Sequence, residues 1–177
     1  MKKPIIDSKE LNQLLGEMAR TFVNRESSQI KKGGVCVIGI QTRGAILANR
    51  IAKLLKEKHR LSVEVGSLDI TLYRDDVSEI GNQPIVKESH VPVSIEGNSI
   101  LLVDDVLYTG RTIRAALDAL LERGRPRMIR LAVLVDRGGR ELPIQADYIA
   151  KKMSVKKGEK IQIQVKEIDK KEGVWIL

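Results

Sequence analysis

Three apolar runs along the chain each end in a short polar segment. The first two of these segments lead into sequence with the helical period, in which apolar residues recur every three or four positions. Strands that alternate with helices fold into an α/β domain with a mainly parallel central sheet flanked by helices. Ligands of such sheets bind beyond the carboxyl ends of the strands, so the polar segments predict the binding site. They are residues 41–44, 104–112 and 136–138.

The boundaries of the main elements follow from the same patterns. Asp7 followed by Glu10 is typical of a capping box and predicts the start of a first helix. Its apolar face consists of Leu11, Leu14, Leu15, Met18, Phe22 and Val23. A second helix follows residue 44 with Leu47, Ile51, Leu54 and Leu55 inward, and a third spans 113–121. Strands are expected at 35–40, 62–74, 100–103 and 131–135, with a loop over 104–112.

Two further segments are interpreted from their composition. Residues 75–91 are polar and contain glycine, asparagine and proline, and roughly 17 residues exceed the usual loop length in a compact domain. We therefore expect a flexible β-arm at about residues 72–92. Apolar residues at 161, 163 and 165 alternate with glutamines, which predicts a half-exposed strand in a hairpin turned at Lys157 and Gly158.

The length of 177 residues predicts a single domain, 1–177, with its own hydrophobic core. Cys36 is the one cysteine and lies in an apolar run, which favours a buried thiol in a reducing cytoplasm. His59 and His90 lie far apart without cysteine partners, so no zinc site is predicted. The N-terminus has no long apolar stretch, and no window approaches the ~20 apolar residues of a membrane span. We expect a cytoplasmic protein.

The chain carries a net charge of +8 and has a pI near 9.6. Such a surplus favours polyanionic partners such as phosphorylated sugars, nucleotides or RNA. A solubilising surface would carry the same charge, so charge alone leaves both interpretations open. Only 3% of the residues are aromatic, which leaves few stacking platforms for single-stranded nucleic acid.

The segment after the central strand combines two kinds of chemistry. Asp104 and Asp105 are adjacent carboxylates at a strand end, and they suit sugar hydroxyls as hydrogen-bond donors. Thr109, Gly110 and Thr112 then supply hydroxyls and backbone N–H groups immediately before a helix, whose N-terminus attracts phosphate. One end of the segment therefore suits a ribose diol and the other a 5′-phosphate.

Other interpretations of this segment explain less of it. Asp104 and Asp105 could be helix caps, but caps usually come singly and next to the helix. The sequence has neither a Gly-Lys-Ser/Thr phosphate loop nor a Gly-x-Gly-x-x-Gly turn. A phosphoacceptor pocket would use two aspartates but would not need Thr-Gly-Arg-Thr at a helix start.

Residues 103–112 resemble the 5-phosphoribosyl-1-pyrophosphate (PRPP) motif of type I phosphoribosyltransferases. Nearly the full chain resembles one branch, the PyrR family of pyrimidine operon attenuators with uracil phosphoribosyltransferase activity. The segments that carry this resemblance are 40–44, 69–76, 103–112, 133–138, 140–144 and 146–148. The resemblance implies the type I phosphoribosyltransferase fold, PRPP and uracil as substrates, UMP as product, Mg²⁺ carried with PRPP, and a homodimer or larger homo-oligomer.

The resemblance also implies roles for individual residues. Asp104 and Asp105 hold the ribose hydroxyls, directly or through Mg²⁺-bound water. The 5′-phosphate site comprises Val106, Leu107, Tyr108, Thr109, Gly110, Arg111 and Thr112. The pyrophosphate loop comprises Thr42, Arg43 and Gly44. Arg74, followed by Asp75 and Asp76, begins the flexible catalytic arm, and Asp136, Arg137 and Gly138 form the loop that reads the pyrimidine edge.

The family's second function is binding of messenger RNA leaders, promoted by UMP. The candidate contacts are Arg20, Arg25, Arg137, Arg140, Lys151 and Lys152, with Lys156 and Lys157 nearby. Four positions on the expected RNA face depart from the family pattern: Gly16 and Glu17 replace Thr and Arg, Gly139 replaces His, and Gln145 replaces Arg. Three alternatives remain open: a salvage enzyme without RNA binding, an RNA-binding regulator with vestigial catalysis, and a transferase for another base such as hypoxanthine.

Overall fold

The computed structural model describes residues 3–31, 33–75, 89–91, 95–156 and 158–177. The helices are α1 (Ser8–Ile30), α2 (Arg43–His59), α3 (Arg111–Leu121) and α4 (Lys166–Asp169), with a 3-10 helix at Thr71–Tyr73. The strands are β1 (Val35–Ile40), β2 (Val63–Leu68), β3 (Ser99–Leu107), β4 (Met128–Asp136), β5 (Tyr148–Lys152), β6 (Ile161–Gln164) and β7 (Gly173–Ile176). None of the helices in these ranges is long and apolar enough to cross a lipid bilayer.

The central sheet has five strands in the order β2-β1-β3-β4-β5, and every neighbouring pair is parallel. The carboxyl ends of all five strands therefore lie at one edge, as the alternating pattern predicts. Side chains of β3 alternate between the faces: Leu101 and Val103 pack with α1 and α2, whereas Ile100 and Leu102 pack with α3. The α/β prediction with helices on both faces is confirmed.

The first helix begins as predicted. The Asp7 carboxylate accepts a hydrogen bond of 2.9 Å from the Glu10 backbone N–H, which satisfies one of the free donors of the first turn. The predicted apolar face is turned inward, with Leu11, Leu15 and Phe22 almost fully buried.

The two largest errors in the predicted boundaries arise because local and long-range hydrogen bonds override the sequence pattern. The strand predicted over 62–74 ends at Leu68, because the Asp69 carboxylate accepts from the backbone N–H of Thr71 at 2.8 Å and turns the chain into the 3-10 helix. The loop predicted to start at residue 104 starts only after Leu107, because β3 continues to Leu107, which pairs with Asp136 of β4.

The C-terminal hairpin also differs from the prediction. β6 pairs antiparallel with β7, and the chain between them contains α4. Lys157, at the predicted turn, lies outside the described residues. Most of the β-arm predicted at about 72–92 also lies outside the described residues, since residues 76–88 and 92 are not described. Within that range, His90 forms an isolated backbone bridge with Ser67 of β2.

Candidate active site

The acidic pair lies at the carboxyl end of β3, in the middle of the sheet. Asp104 is 6% exposed and Asp105 is half-buried. An Asp104 carboxylate oxygen accepts from the backbone N–H of Asp105 at 2.9 Å, and an Asp105 oxygen accepts from that of Val106 at 2.7 Å. Burial, and then the neighbouring charge of Asp105, raise the pKa of Asp104 well above its ordinary value. The pair is therefore poised to accept hydroxyl donors or a cation, either of which stabilises the charged carboxylates.

The segment after β3 turns directly into α3. Gly110 is the N-cap residue with φ +96, a left-handed conformation that glycine adopts without steric cost. The Thr109 hydroxyl accepts from the backbone N–H of Arg111 at 3.3 Å. Leu107, included in the predicted phosphate site, has its side chain in the core. The exposed part of the loop, from residue 108 to the first turn of α3, is therefore the part that can meet an anion.

The polar segment after β1 packs against β3. The Gln41–Thr42 peptide bond is cis, and α2 starts at Arg43. A Cβ atom built on Gly44 would lie 2.7 Å from the carbonyl oxygen of Val103 and 3.2 Å from an Asp104 carboxylate oxygen. The predicted pyrophosphate and ribose segments are thus in direct contact, as parallel strand order requires.

Arg43 has a partner that the sequence did not reveal. Its Nε and Nη2 donate to the two carboxylate oxygens of Asp169 in α4, at 3.2 and 2.8 Å. The two residues are 126 positions apart, so no local pattern could have linked them. The charge of Arg43 also reaches Asp105: burial raises the pKa of Asp105, whereas the Val106 N–H and the Arg43 guanidinium oppose that rise.

The third polar segment, after β4, is bonded to the loop after β3. The backbone N–H of Arg137 donates to the Leu107 carbonyl at 3.1 Å, and that of Glu141 donates to the Thr109 carbonyl at 2.9 Å. The guanidinium of Arg137 lies 4.0 Å from the centre of the Tyr108 ring. The two segments therefore form one connected surface beside the acidic pair.

Arg140, a candidate RNA contact, lies inside this connected surface. It donates to the carbonyls of Ile144 at 2.9 Å and Tyr108 at 2.7 Å, and forms an ion pair with Asp136 at 2.7 Å. Burial raises the pKa of Asp136, but the Arg140 hydrogen bond and the Gly138 N–H outweigh it and hold the pKa below its ordinary value. Asp136 therefore stays ionised and orders the loop that follows it.

The remaining predicted residues lie further out. Arg74 is exposed and follows the 3-10 helix in extended conformation. Arg111 pairs through its side chain with Asp75 and with Glu141, the latter at 2.7 Å. The start of the predicted arm is thus joined to α3.

Two RNA candidates lie on α1, Arg20 and Arg25, and two lie on β5, Lys151 and Lys152; the two elements pack together at the sheet edge. Arg20 is exposed on α1, Arg25 lies 5.3 Å from the centre of the Tyr148 ring, and Lys151 lies 3.6 Å from Glu10. Gly16 and Glu17, two of the departures from the family pattern, are on the same helix. Within the described part of the chain, no group of three or more His, Cys, Asp and Glu side chains is placed to bind a metal ion.

Comparison with known proteins agrees with this geometry. The chain matches the phosphoribosyl transferase domain family over residues 7–168 and is a phosphoribosyltransferase by class. The bifunctional protein PyrR of Thermus aquaticus is 48% identical over 175 residues, which are 98% of this chain and 94% of that protein. PyrR of Pelotomaculum thermopropionicum is 45% identical over 176 residues, 99% of this chain and 96% of that protein. The chain belongs to the PyrR family, and the resemblance seen in its motifs is confirmed.

A solved structure supports the fold alone. The hypoxanthine phosphoribosyltransferase of Trypanosoma cruzi superposes with a TM-score of 0.75 over 99% of this chain and 96% of that one, at 17% identity. The type I phosphoribosyltransferase fold is therefore confirmed, whereas so distant a relative does not indicate the base.

Proposed function

We propose that this protein is a uracil phosphoribosyltransferase that also regulates pyrimidine genes by UMP-dependent binding to messenger RNA leaders. In the reaction, N1 of uracil forms a bond to C1′ of PRPP, and the bond from C1′ to pyrophosphate breaks with its electron pair going to pyrophosphate. The N1 proton is released to the departing pyrophosphate or to water. The observation that carries the proposal is the acidic pair of β3, in which Asp104 is buried and Asp105 is half-buried. The pair contacts Gly44 on one side and leads into a helix N-terminus on the other, in a chain of the PyrR family.

Asp104 and Asp105 would bind the two ribose hydroxyls. Carboxylate oxygens accept from hydroxyl donors, and each such bond stabilises the charge that burial otherwise penalises. Because positive charge develops at C1′ as the leaving group departs, a negative pair beside the ribose also favours the transition state.

The loop from Tyr108 to Thr112 would bind the 5′-phosphate. The first-turn N–H groups of α3 point toward that loop without intrahelical acceptors, and the helix dipole adds positive potential there. The hydroxyls of Thr109 and Thr112 complete a donor set for a tetrahedral anion. Arg111 is held by Glu141 and Asp75, so backbone donors would carry most of the contact.

The turn at Thr42–Gly44 would bind the pyrophosphate, with Arg43 as the charged donor. Asp104 and Asp105 present adjacent hard oxygens, a ligand set that suits Mg²⁺, and burial of two like charges makes a bound cation favourable. When bound with PRPP, Mg²⁺ would supply positive charge that offsets part of the charge on the pyrophosphate. Arg43 would supply the protein's own share of that stabilisation.

The segment from Asp136 to Gly138 would read the pyrimidine edge. Its backbone groups are fixed by the Arg137 and Glu141 hydrogen bonds to the loop after β3, so base and ribose sites keep a constant separation. A constant separation favours reaction because it holds the attacking nitrogen near C1′. Arg74 and the arm that follows it would cover the site and exclude water.

Two features support the regulatory half of the proposal. Relatives that cover nearly the whole chain are described as bifunctional proteins, and the net charge of +8 favours RNA. Arg20, Arg25 and Lys151 on the α1–β5 edge would contact phosphates. Four replacements lie on the expected RNA face, at Gly16, Glu17, Gly139 and Gln145. Direct measurement of RNA binding therefore decides whether the regulatory function is retained.

The enzymatic half is tested by a substrate panel. Purified protein with PRPP and Mg²⁺ is supplied with uracil, hypoxanthine or guanine, and nucleotide product is separated by chromatography. UMP formation at least about tenfold faster than IMP or GMP formation supports the proposal; preferential IMP formation would assign the site to purines.

The regulatory half is tested with pyrimidine-operon leader RNA from the protein's own source, at near-physiological salt, with and without UMP. Tight binding that UMP strengthens supports a bifunctional regulator. Weak, UMP-independent binding that fades with salt would leave a salvage enzyme.

A further inference from the structure

The short helix α4 is joined to α2 by two similar ion pairs with different neighbours. Asp169 binds Arg43 at the N-terminus of α2, beside the acidic pair. Glu167 binds Arg50, two turns further along α2, through Nε at 2.9 Å and Nη2 at 2.7 Å. Only the first of these pairs involves a residue of the substrate site.

The Asp169 carboxylate is itself held in place. One of its oxygens also accepts from the backbone N–H of Val165 at 2.9 Å. The Asp169 side chain is 14% exposed and that of Arg43 is 34% exposed, so the pair is partly shielded from water. The Arg43 hydrogen bond, which outweighs burial, lowers the pKa of Asp169 and keeps it charged.

The geometry of the pair leaves one end of Arg43 available. Asp169 uses Nε and Nη2, which lie on one edge of the planar guanidinium, and this bidentate contact fixes the plane. The N–H bonds of Nη1 lie on the other side of the group, where an anion can accept from them. A carboxylate on one edge thus determines where the opposite edge points.

We propose that Asp169 is a positioning residue, which orients Arg43 to bind the pyrophosphate group of PRPP. The inference rests on the proposed function, because it takes Arg43 to be the pyrophosphate donor. It assigns the C-terminal segment a part in substrate binding, through a contact between positions far apart in the sequence.

The alternative partner of Arg43 explains why orientation matters. The charge of Arg43 already acts on Asp105, the neighbour on the ribose side. Without Asp169, the guanidinium is attracted to the acidic pair, where it competes for the carboxylates that bind ribose. Loss of Asp169 therefore weakens PRPP binding, even though it removes a negative charge from the neighbourhood of an anion.

The experiment compares Asp169→Asn with Glu167→Gln. An amide at 169 has one acceptor oxygen in place of two and carries no charge, so the contact in which Nε and Nη2 each meet their own oxygen is lost. Glu167→Gln removes a comparable contact between the same two helices, but away from the substrate site. Both variants are measured in the forward reaction and in the reverse reaction from UMP and pyrophosphate, with thermal unfolding of each protein.

For Asp169→Asn we expect the KM for PRPP and for pyrophosphate to rise about tenfold, the factor for a lost contact of ~1.4 kcal/mol. The KM for uracil and for UMP should change less than about twofold, because Arg43 does not contact the base. Glu167→Gln should leave all four values near those of the native protein. Equal changes in the two variants, or equal changes for pyrophosphate and UMP, would overturn the proposal.

Arg43 variants separate failure of this inference from failure of the proposed function. If Arg43→Ala leaves the KM for pyrophosphate unchanged, the pyrophosphate role itself is wrong. If Arg43→Ala raises it while Asp169→Asn does not, only the positioning role is wrong. Should Asp169→Asn not fold, Arg43→Lys tests the same claim, because lysine keeps the charge but cannot form the bidentate contact. A native KM for pyrophosphate in Arg43→Lys would then overturn the inference.

Discussion

Gly44 and Asp104 are in contact where the start of α2 meets the carboxyl-terminal part of β3. A Cβ atom on Gly44 would lie 3.2 Å from both the Cα and a carboxylate oxygen of Asp104, and 2.7 Å from the preceding carbonyl oxygen. Only a residue without a side chain lets the start of α2 approach the acidic pair so closely. The separation of the pyrophosphate and ribose segments is therefore set by backbone contact.

We expect Gly44→Ala to lower transferase activity more than it lowers stability. The added methyl group meets backbone atoms, which cannot rotate away, so β3 or the start of α2 must shift. Such overpacking costs about 1–3 kcal/mol, and a displacement of the ribose segment reduces turnover at least about tenfold. Steady-state kinetics and chemical denaturation measure the two effects.

Gly16→Ala serves as the matched control for Gly44→Ala. Gly16 lies within α1, and a Cβ atom there would have no neighbour within 4 Å. Alanine should increase the free energy of unfolding by roughly 0.5–1 kcal/mol, because it favours the helix, and should leave activity unchanged. If the two variants lost activity equally, the contact between Gly44 and Asp104 would not explain the defect.

Asp105→Asn should retain the fold and lose most transferase activity, by about a hundredfold. An amide keeps the size of the carboxylate but not its charge, and burial makes that charge costly in the absence of substrate. The melting temperature should therefore be unchanged or higher. Asp118→Asn, at an exposed position on α3, is the control and should retain activity. Near-normal turnover of Asp105→Asn would exclude the ribose assignment.

The positions of the acidic pair and of the three polar segments were predictable because they depend on strong local signals. A short apolar run such as 35–40, bounded by turn residues, indicates a buried strand. Parallel strands then bring their carboxyl ends together at one edge of the sheet. The N-cap at Asp7 was predictable for the same reason, since a capping carboxylate acts within one helical turn.

The remaining features depend on contacts between distant parts of the chain. Asp104 and Asp105 look like a loop in sequence, yet β3 continues through them because β4 supplies backbone partners. The strand β5 was not predicted, and its pairing with β4 gives no local signal. Asp169 reaches Arg43 only after the C-terminal hairpin has packed on α2. No pattern within a short window contains that contact.

Stability in acid should depend on Glu172, whose side chain is 2% exposed and pairs with Arg50 at 2.5 Å. Burial raises the pKa of Glu172, but hydrogen bonds from Ser8 and Arg50 outweigh it and hold the pKa below the ordinary value of 4.5. The unfolded chain therefore takes up this proton at higher pH than the folded protein does. The contribution to stability is complete above the ordinary pKa and is lost as pH falls through the folded pKa.

Glu172→Gln should accordingly lower the free energy of unfolding by about 1.5–3 kcal/mol at pH 7, the range for lost hydrogen bonds to a charged group, because Arg50 keeps Glu167 as a partner. The difference from the native protein should shrink in acid. Denaturation curves of both proteins from pH 7 to pH 3 measure this difference in the free energy of unfolding. Glu57→Gln is the control, because its pair with Lys53 is exposed and spans 3.9 Å; it should change stability by less than ~0.5 kcal/mol. A constant difference at all pH values would contradict the assignment to Glu172.

Gly139→Ala should weaken uracil binding through Tyr108. Gly139 has φ +75, and a Cβ atom there would lie 2.6 Å from the Tyr108 ring, which is 46% exposed and stacks with Arg137. The ring must move and the stack is lost, so the KM for uracil should rise roughly fivefold for a contact of ~1 kcal/mol.

Gly97→Ala is the matched control, since Gly97 has φ +69 and open space around it. Both variants carry the strain of a left-handed alanine, about 1 kcal/mol, and should unfold at similar temperatures. A normal KM for uracil in Gly139→Ala would show that the Tyr108–Arg137 stack does not support the pyrimidine site.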